Sequence, residues 1–297
     1  MYELTVIIPV YNQAYPLALT LDGFVQQTLS KDCFQLIIID DGSTEPIGSV
    51  VEAYKDRLNI KLYVTPNQGR AVARNIGISH VEKGLLVFCD ADRIPRSRFL
   101  EEHLNTHLAH PASVVIGQVR EMYVSQAEQR REYITSHLYS NQFCKIPQYC
   151  NLVYSLYNDD GSTMANCPWI SSFSGNMSLD KALIDKVGKF DEEFTHWGFE
   201  HFELGYRLHK NGFPFIYQRE ATNVHLAHSR DAHSYKTALK NSHRYFVKKH
   251  PDSTVQSLLA FMLGTLSLYE LEAIESSGTQ NRIPFPVKNP FVKITNF

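Results

Sequence analysis

Two carboxylates one residue apart, Asp90 and Asp92, end an apolar run, Leu85-Leu86-Val87-Phe88-Cys89. Side chains alternate along an extended chain, so the two face one side and put two oxygen donors within reach of one hard cation. A run that is apolar at every position reads as a strand covered on both faces, as inside a parallel sheet. Ligands of open α/β sheets bind beyond the carboxyl ends of such strands. A divalent metal on a diphosphate is the chemistry this placement suits; the alternative is a polar turn. A second acidic pair, Asp40 and Asp41, opens Asp-Asp-Gly-Ser after another apolar run. It has the same two explanations, ligand contact or a turn that caps a helix.

The elements that position these residues alternate along the first ninety residues. Apolar runs at 4–10, 34–39, 60–64 and 85–89 read as strands, and the periodic stretches 14–28, 47–57 and 69–79 between them as helices. That order predicts an α/β fold with a mostly parallel, doubly wound sheet and helices on both faces. Each strand end carries polar side chains: Tyr11 and Asn12, Asp40 and Asp41, residues 67–70, then Asp90 and Asp92. No G-x-G-x-x-G follows the first strand and no P-loop is present, so neither a Rossmann dinucleotide site nor a P-loop NTPase is supported. A nucleotide held by carboxylates and a metal fits better. Farther on, 99–107 reads as a helix and 114–119 as a strand, and the pattern then weakens from 121 to 166. Such a long connection is either an acceptor-binding loop or lid, or plain surface loop. Helices are expected at 181–187 and 235–249, a strand at 224–228, an apolar helix within 253–269, and an extended tail around Pro284, Pro286 and Pro290.

With 43% hydrophobic and 20% charged residues, the 297-residue chain has the balance of a soluble globular protein. A net charge of −2 gives no basis for nucleic-acid binding. The cysteines at 33, 89, 144, 150 and 167 form neither a C-x-x-C pair nor a disulfide framework, so reduced thiols are expected. The sequence enters its first strand with no basic leader, and the apolar part of 253–269 is shorter than the roughly 20 residues a spanning helix needs. These features predict no transmembrane segment and a cytoplasmic location, at most against the inner face of the membrane. The aromatic residues of the C-terminal region belong either to the core or to a homodimer interface.

Taken together, Val6-Ile-Ile-Pro-Val-Tyr-Asn, Ile38-Ile-Asp-Asp-Gly-Ser, Asn67-Gln-Gly-Arg-Ala-Val-Ala-Arg-Asn, Phe88-Cys-Asp-Ala-Asp and Trp197-Gly-Phe-Glu-His-Phe-Glu-Leu-Gly-Tyr-Arg-Leu resemble the family 2 glycosyltransferases of GT-A fold. The later part resembles the galactosyltransferase-type region of chondroitin polymerases and polypeptide N-acetylgalactosaminyltransferases. The resemblance spans roughly 4–230 and divides the chain into a domain at 1–230, with a nucleotide-sugar and metal half at 1–119 and an acceptor and catalytic half at 120–230, and a C-terminal helical extension and tail at 231–297. It implies that Pro9, Tyr11, Asp40 and Asp41 surround the nucleobase, most often uracil, and that Gly69 admits the ligand to the backbone. Arg70 or Arg74 meets phosphate or ribose, although Arg74 has a solvated helix position as its alternative. Asp92 becomes the first metal ligand, and Asp90 contacts the ribose or the metal's water. His225 supplies a third ligand, with a buried structural histidine as its alternative, while His228 and Arg230 face the diphosphate. Ser174-Gly175-Asn176 forms a loop that positions donor sugar or acceptor, and Trp197 either stacks on a sugar or packs in the core. The implied cofactor is manganese or magnesium, Mn2+ or Mg2+.

The implied activity is metal-dependent transfer of a hexose or N-acetylhexosamine from a UDP-sugar to a saccharide, a peptide or a small metabolite. A base must then take the acceptor proton, and Glu200, His201 and Glu203 are the candidates. Helical spacing also puts Glu200, Glu203 and Arg207 on one face, where an Arg–Glu pair has a structural explanation. Inverting relatives commonly carry Trp-Gly-Gly-Glu-Asp, with the Asp as base, whereas this chain has Trp197-Gly198-Phe199-Glu200-His201. Either His201 replaces that Asp, or Glu200 acts, or the reaction is retaining; inversion is the expectation. Imidazole, with a reference pKa of about 6.5, is a competent base at neutral pH. The rivals are a nucleotide-sugar-binding scaffold without catalysis and, more weakly, a sugar nucleotidyltransferase.

Overall fold

The computed structural model describes residues 4–195, 198–227 and 232–276. In chain order its elements are β1 (Leu4–Val10), α1 (Ala14–Val25), β2 (Phe34–Asp40), α2 (Ile47–Glu52), β3 (Ile60–Val64), α3 (Arg70–Ser79), β4 (Leu85–Cys89), β5 (Arg93–Pro95), α4 (Phe99–Ala109) and β6 (Val114–Tyr123). There follow α5 (Arg131–His137), α6 (Gln148–Tyr154), β7 (Asn176–Asp180), α7 (Lys181–Val187), α8 (Glu200–Lys210), β8 (Phe215–Ala227), α9 (Ala232–Lys249), α10 (Ser253–Met262) and α11 (Leu268–Ser276).

One eight-stranded sheet runs in the order β3-β2-β1-β4-β7-β6-β8-β5. The first four strands are parallel, as their apolar runs require when both faces are covered. Alternate residues of β1 feed opposite cores: Ile7 packs with Ile37 and Phe88 on one face, Val6 and Ile8 with Leu36, Ile38 and Val87 on the other. The second half is mixed. β7 is antiparallel to β4 and β6, β8 is parallel to β6, and β5 is antiparallel to β8. Register then sets the site. Val10 pairs with Asp40, Leu4 to Ile7 pair with Leu85 to Phe88, and His225 of β8 lies between Arg93 of β5 and Glu121 of β6.

Three segments depart from the expected pattern. β8 begins at Phe215, nine residues before the expected strand at 224, because a register shift opposite Gly117 and Gln118 brings exposed Arg219 and Glu220 into its middle. The weakly patterned 121–166 stretch contains α5 and α6, whose seven residues each are too few to display a helical period. The apolar 253–269 stretch is not one helix but α10 and the start of α11, broken where Gly264 takes a φ of +72°. The proline tail lies outside the described residues. The C-terminal helices share the main core, with Phe246 of α9 against Trp169, Phe199 and Tyr206. All five cysteines are free thiols.

Beneath the second half of the sheet, α4 buries two histidines. His103 contacts Asn176 Oδ1 through Nε2 at 3.0 Å and Ser178 Oγ through Nδ1 at 2.7 Å, and His107 Nε2 reaches the same Ser178 Oγ at 2.8 Å. Burial pushes His103 down to about 3 and His107 down to about 4. Both stay neutral in the fold while the unfolded chain binds their protons below about pH 6.5. Their stabilisation is therefore complete above that pH and is lost as pH falls towards 4, at up to about 1.4 kcal/mol per histidine per pH unit. Denaturant midpoints measured from pH 7.5 to 5 should fall more steeply for the wild type than for His107→Gln. Parallel curves would disprove the linkage.

Candidate active site

A cavity of about 1580 Å³ opens at the carboxyl edge of the parallel strands. Pro9, Tyr11, Asp41, Gly69, Arg70, Arg74, Asp90, Asp92, Glu200, His201 and His225 all line it. Two expected donor contacts do not. Asp40 turns back on the chain and accepts from the Ser43 amide at 2.9 Å, so it forms the turn, whereas Asp41 faces the cavity. Asn176 is fully buried, its amide donating to the carbonyls of Gln118 and Ala221 at 3.0 Å each. Gly117 makes this possible, since a Cβ there would lie 2.0 Å from Asn176 Oδ1. Ser174 and Gly175 of the same motif do line the cavity. Trp197, His228 and Arg230 lie outside the described residues.

On the first side, Asp41 accepts the backbone N–H groups of Gln68 at 2.8 Å and Gly69 at 2.9 Å. It thereby ties the end of β2 to the turn before α3. Gly69 holds a φ of +94°, a conformation that glycine adopts without a Cβ penalty. Asn12 secures the same rim by accepting from the Thr44 amide at 2.8 Å.

The centre is an ionic network. Arg74 is only 1% exposed, which rules out the solvated helix position. Its guanidinium donates to Asp90 Oδ1 at 2.8 Å and to Glu200 Oε1 at 3.2 Å, joining α3, the end of β4 and the start of α8. Arg93 Nε holds the other Asp90 oxygen at 3.1 Å. Gly175 leaves room for that pair, because a Cβ would fall 2.1 Å from Arg93 Nε. Burial acts to raise the carboxyl pKa of Asp90, but Arg74, Arg93 and Arg70 outweigh it and hold the group well below its usual range. Burial likewise opposes ionisation of Glu200, and His201, Arg74 and Arg70 overcome it. Both are carboxylates at neutral pH. Glu200 Oε2, Arg74 Nε and Arg93 Nη1 are buried with no hydrogen-bond partner among the described residues.

Asp92 and His225 form a separate pair, His225 Nε2 standing 3.5 Å from Asp92 Oδ2. Gln13 steadies that carboxylate with an amide donor at 3.0 Å. Desolvation favours neutral Asp92, and His225 reverses this, holding the carboxyl well below its usual range. Burial opposes charge on His225, yet Asp92 and Glu121 together raise its pKa above the ordinary imidazole value.

The wall beside Glu200 is aromatic. His201 packs on Phe202 with ring centroids 4.2 Å apart, and Phe173 lies 6.5 Å from His201, 6.1 Å from Phe202 and 5.7 Å from Tyr149. Glu203, by contrast, does not reach the cavity. It binds Arg207 at 2.9 Å, Lys249 at 2.9 Å and His250 at 2.8 Å, an ion cluster that clamps α8 to α9 and leaves no role as a base. Gln13, Arg93, Glu121, Tyr149 and Phe173 carry no motif in the sequence and become visible only through the sheet register and the cavity.

A mixed sheet with a parallel nucleotide half and carboxylates at its carboxyl edge is the GT-A architecture of nucleotide-sugar enzymes. The solved structure of S. aureus TarS 1-349 in complex with UDP-GlcNAc superposes with a TM-score of 0.63 at 18% identity, covering 87% of this chain and 72% of that one. The family model described as glycosyl transferase family 2 matches residues 5–167, and the chain belongs to that family. The validoxylamine A glucosyltransferase of Streptomyces hygroscopicus subsp. jinggangensis (strain 5008) is 32% identical over 266 residues, 84% of this chain and 61% of that protein. The chondroitin synthase of Escherichia coli is 29% identical over 227 residues, 71% of this chain and 33% of that protein. The chain thus spans about three fifths and one third of these two relatives.

Proposed function

We propose that the chain is a UDP-sugar-dependent glycosyltransferase that moves a hexose, glucose before N-acetylhexosamine, to an acceptor hydroxyl with inversion. The observation that carries this reading is one cavity holding two devices, the Asp92–His225 pair and the Arg74-linked carboxylates next to His201. The names of the Streptomyces and TarS proteins support the sugar and the nucleotide. Asp41, Pro9 and Tyr11 border the nucleobase end, and Arg70 faces the phosphates.

The donor set fits a divalent cation. One carboxylate oxygen and one imidazole nitrogen suit manganese or magnesium, and their 3.5 Å separation is close to the roughly 3.0 Å expected of neighbouring ligands on one ion. Asp92 and His225 would hold it, while Asp90 keeps its two arginines in place. Among the described residues no third His, Cys, Asp or Glu joins the pair. When bound, the cation offsets charge building on the leaving UDP. At the other end, the aromatic wall of Tyr149, Phe173 and Phe202 suits the apolar face of a sugar ring presented as acceptor. This reading keeps a nucleotide-sugar half at 1–119, an acceptor and catalytic half at 120–230 and an extension at 231–297, with the metal pair shared between the halves through Asp92 and His225. No described helix is long and apolar enough to cross a membrane.

The test is UDP release from a panel of UDP-sugars, with and without manganese and a saccharide acceptor panel. Metal-dependent release that selects one sugar is expected, and Asp92→Asn should lower it about 100-fold. The His at position 201 also motivates the scaffold reading, which gains if UDP binds with manganese but no donor is turned over. Failure to bind UDP at all would end both readings.

A further inference from the structure

We propose that Glu121 is a positioning residue that sets the orientation and tautomer of His225, so that the imidazole presents Nε2 to the cation. This rests on the reading that Asp92 and His225 hold a metal. Glu121 belongs to no motif and precedes His225 by 104 residues.

The sheet brings them together. β6 and β8 are parallel with Glu121 opposite His225 in register, and Glu121 Oε1 lies 3.2 Å from His225 Nδ1. Both residues are buried, at 7% and 5% exposure, so the contact is shielded from water. Glu121 is itself fixed at three points. Its Oε2 accepts the Tyr123 hydroxyl at 2.8 Å, its amide donates to the Lys145 carbonyl at 2.8 Å, and its carbonyl accepts from the Lys145 amide at 3.0 Å.

A neutral imidazole has one N–H and one lone pair, and whichever nitrogen meets a carboxylate carries the hydrogen. Here both nitrogens meet one, Nδ1 at Glu121 (3.2 Å) and Nε2 at Asp92 (3.5 Å), so without a cation the pair favours a ring that carries both hydrogens; a cation shared with Asp92 would displace the Nε2 hydrogen, and Glu121 would keep the remaining one on Nδ1. The partner carboxylate also makes the imidazole a stronger donor, and loss of such a partner typically costs 10- to 100-fold in metal affinity. A polar core contact alone would be met by any residue of similar shape; a tautomer-setting contact requires an acceptor at Oε1.

The test titrates Mn2+ into the full chain saturated with UDP and follows the free-ion EPR signal. It compares the wild type with His225→Ala, Glu121→Leu and Glu121→Gln, with circular dichroism to establish folding and metal-free UDP affinity as the control. The wild type should bind Mn2+ and His225→Ala should lose it. Glu121→Leu should weaken Mn2+ about 10- to 100-fold with unchanged metal-free UDP affinity. Glu121→Gln, which retains an acceptor oxygen, should recover most of the affinity and stands in should the leucine variant not fold. Wild-type Mn2+ affinity in folded Glu121→Leu, or equal weakening in Glu121→Gln and Glu121→Leu, would overturn the proposal while leaving His225 as a ligand. Absence of Mn2+ binding by the wild type would instead remove the metal reading itself.

Discussion

Arg74→Ala is expected to lower the unfolding free energy by about 3–5 kcal/mol and to abolish turnover, because it leaves the buried Glu200 carboxylate without its cation and leaves the part-exposed Asp90 with Arg93 alone. Asp90 and Glu200 both turn an oxygen to this one guanidinium, at 2.8 and 3.2 Å, and the arginine is 1% exposed. A total stability of roughly 5–15 kcal/mol leaves the variant folded but marginal. Arg74→Lys should recover only part of the loss, since a point ammonium lacks the planar fork that reaches both partners. The pH dependence supplies a second check. Asp90 and Glu200 are held below their ordinary pKa values in the wild type, so their contribution is present above about pH 4 and is lost as pH falls below it. In Arg74→Ala the same groups gain by protonation, and the gap between the urea midpoints of variant and wild type should narrow from pH 7 to pH 4. Equal midpoints at pH 7 would show that the network contributes nothing to the fold.

Arg74 also illustrates what the sequence conceals. The helix at 70–79 is legible from its apolar spacing, but the pattern does not distinguish a solvated arginine from one whose partner lies 126 residues later. Asp90 and Asp92 were easier, because a strand that is apolar throughout fixes where its end must be. Their division of labour was not: Asp90 sits between two arginines and Asp92 beside His225, a separation set by Gln13, Arg93 and the register of β5 on β8. By motif Asn176 reads as a loop residue, yet it begins β7 and its amide contacts Gln118 and Ala221 on other strands of the sheet and His103 of α4. The parallel half of the fold followed from period and run length. The mixed half did not, since its strands are held by long-range pairing and a register shift that local pattern does not encode.

Phe199 has a φ of +71°, in the left-handed region that glycine favours, where the resembling motif carries glycine. Its ring is fully buried against Phe202 and Phe246, and that packing offsets a backbone strain of about 1–3 kcal/mol. The strained turn starts α8 at Glu200, and so aims both Glu200 and His201. The substitutions at 199 and 201 therefore alter the same corner of the cavity, the backbone before α8 and the residue proposed as the base.

His201→Ala is expected to reduce kcat by about 10²–10⁴-fold while donor KM and UDP affinity stay within about twofold, the pattern of a lost proton acceptor. The argument is electrostatic. A good base combines the deprotonated state with appreciable proton affinity, and Glu200 has surrendered the second. Its charge is committed to Arg74, which favours a role in stabilising a neighbouring imidazolium. His201 Nδ1 stands 3.6 Å from Glu200 Oε1, and its ring lines the cavity beside Phe173 and Phe202. An anion at Nδ1 steadies the positive charge that the ring acquires when the acceptor proton arrives. His201→Asp should accordingly retain much of the rate, since it restores the carboxylate base of the resembling motif, whereas His201→Asn, similar in shape but without a usable base, should resemble the alanine variant. Glu200→Gln should instead raise donor KM together with its effect on kcat, because it loosens Arg74 as well. If His201→Ala keeps wild-type kcat and Glu200→Gln alone is inactive, proton transfer belongs to Glu200 and the imidazole is packing for the acceptor wall.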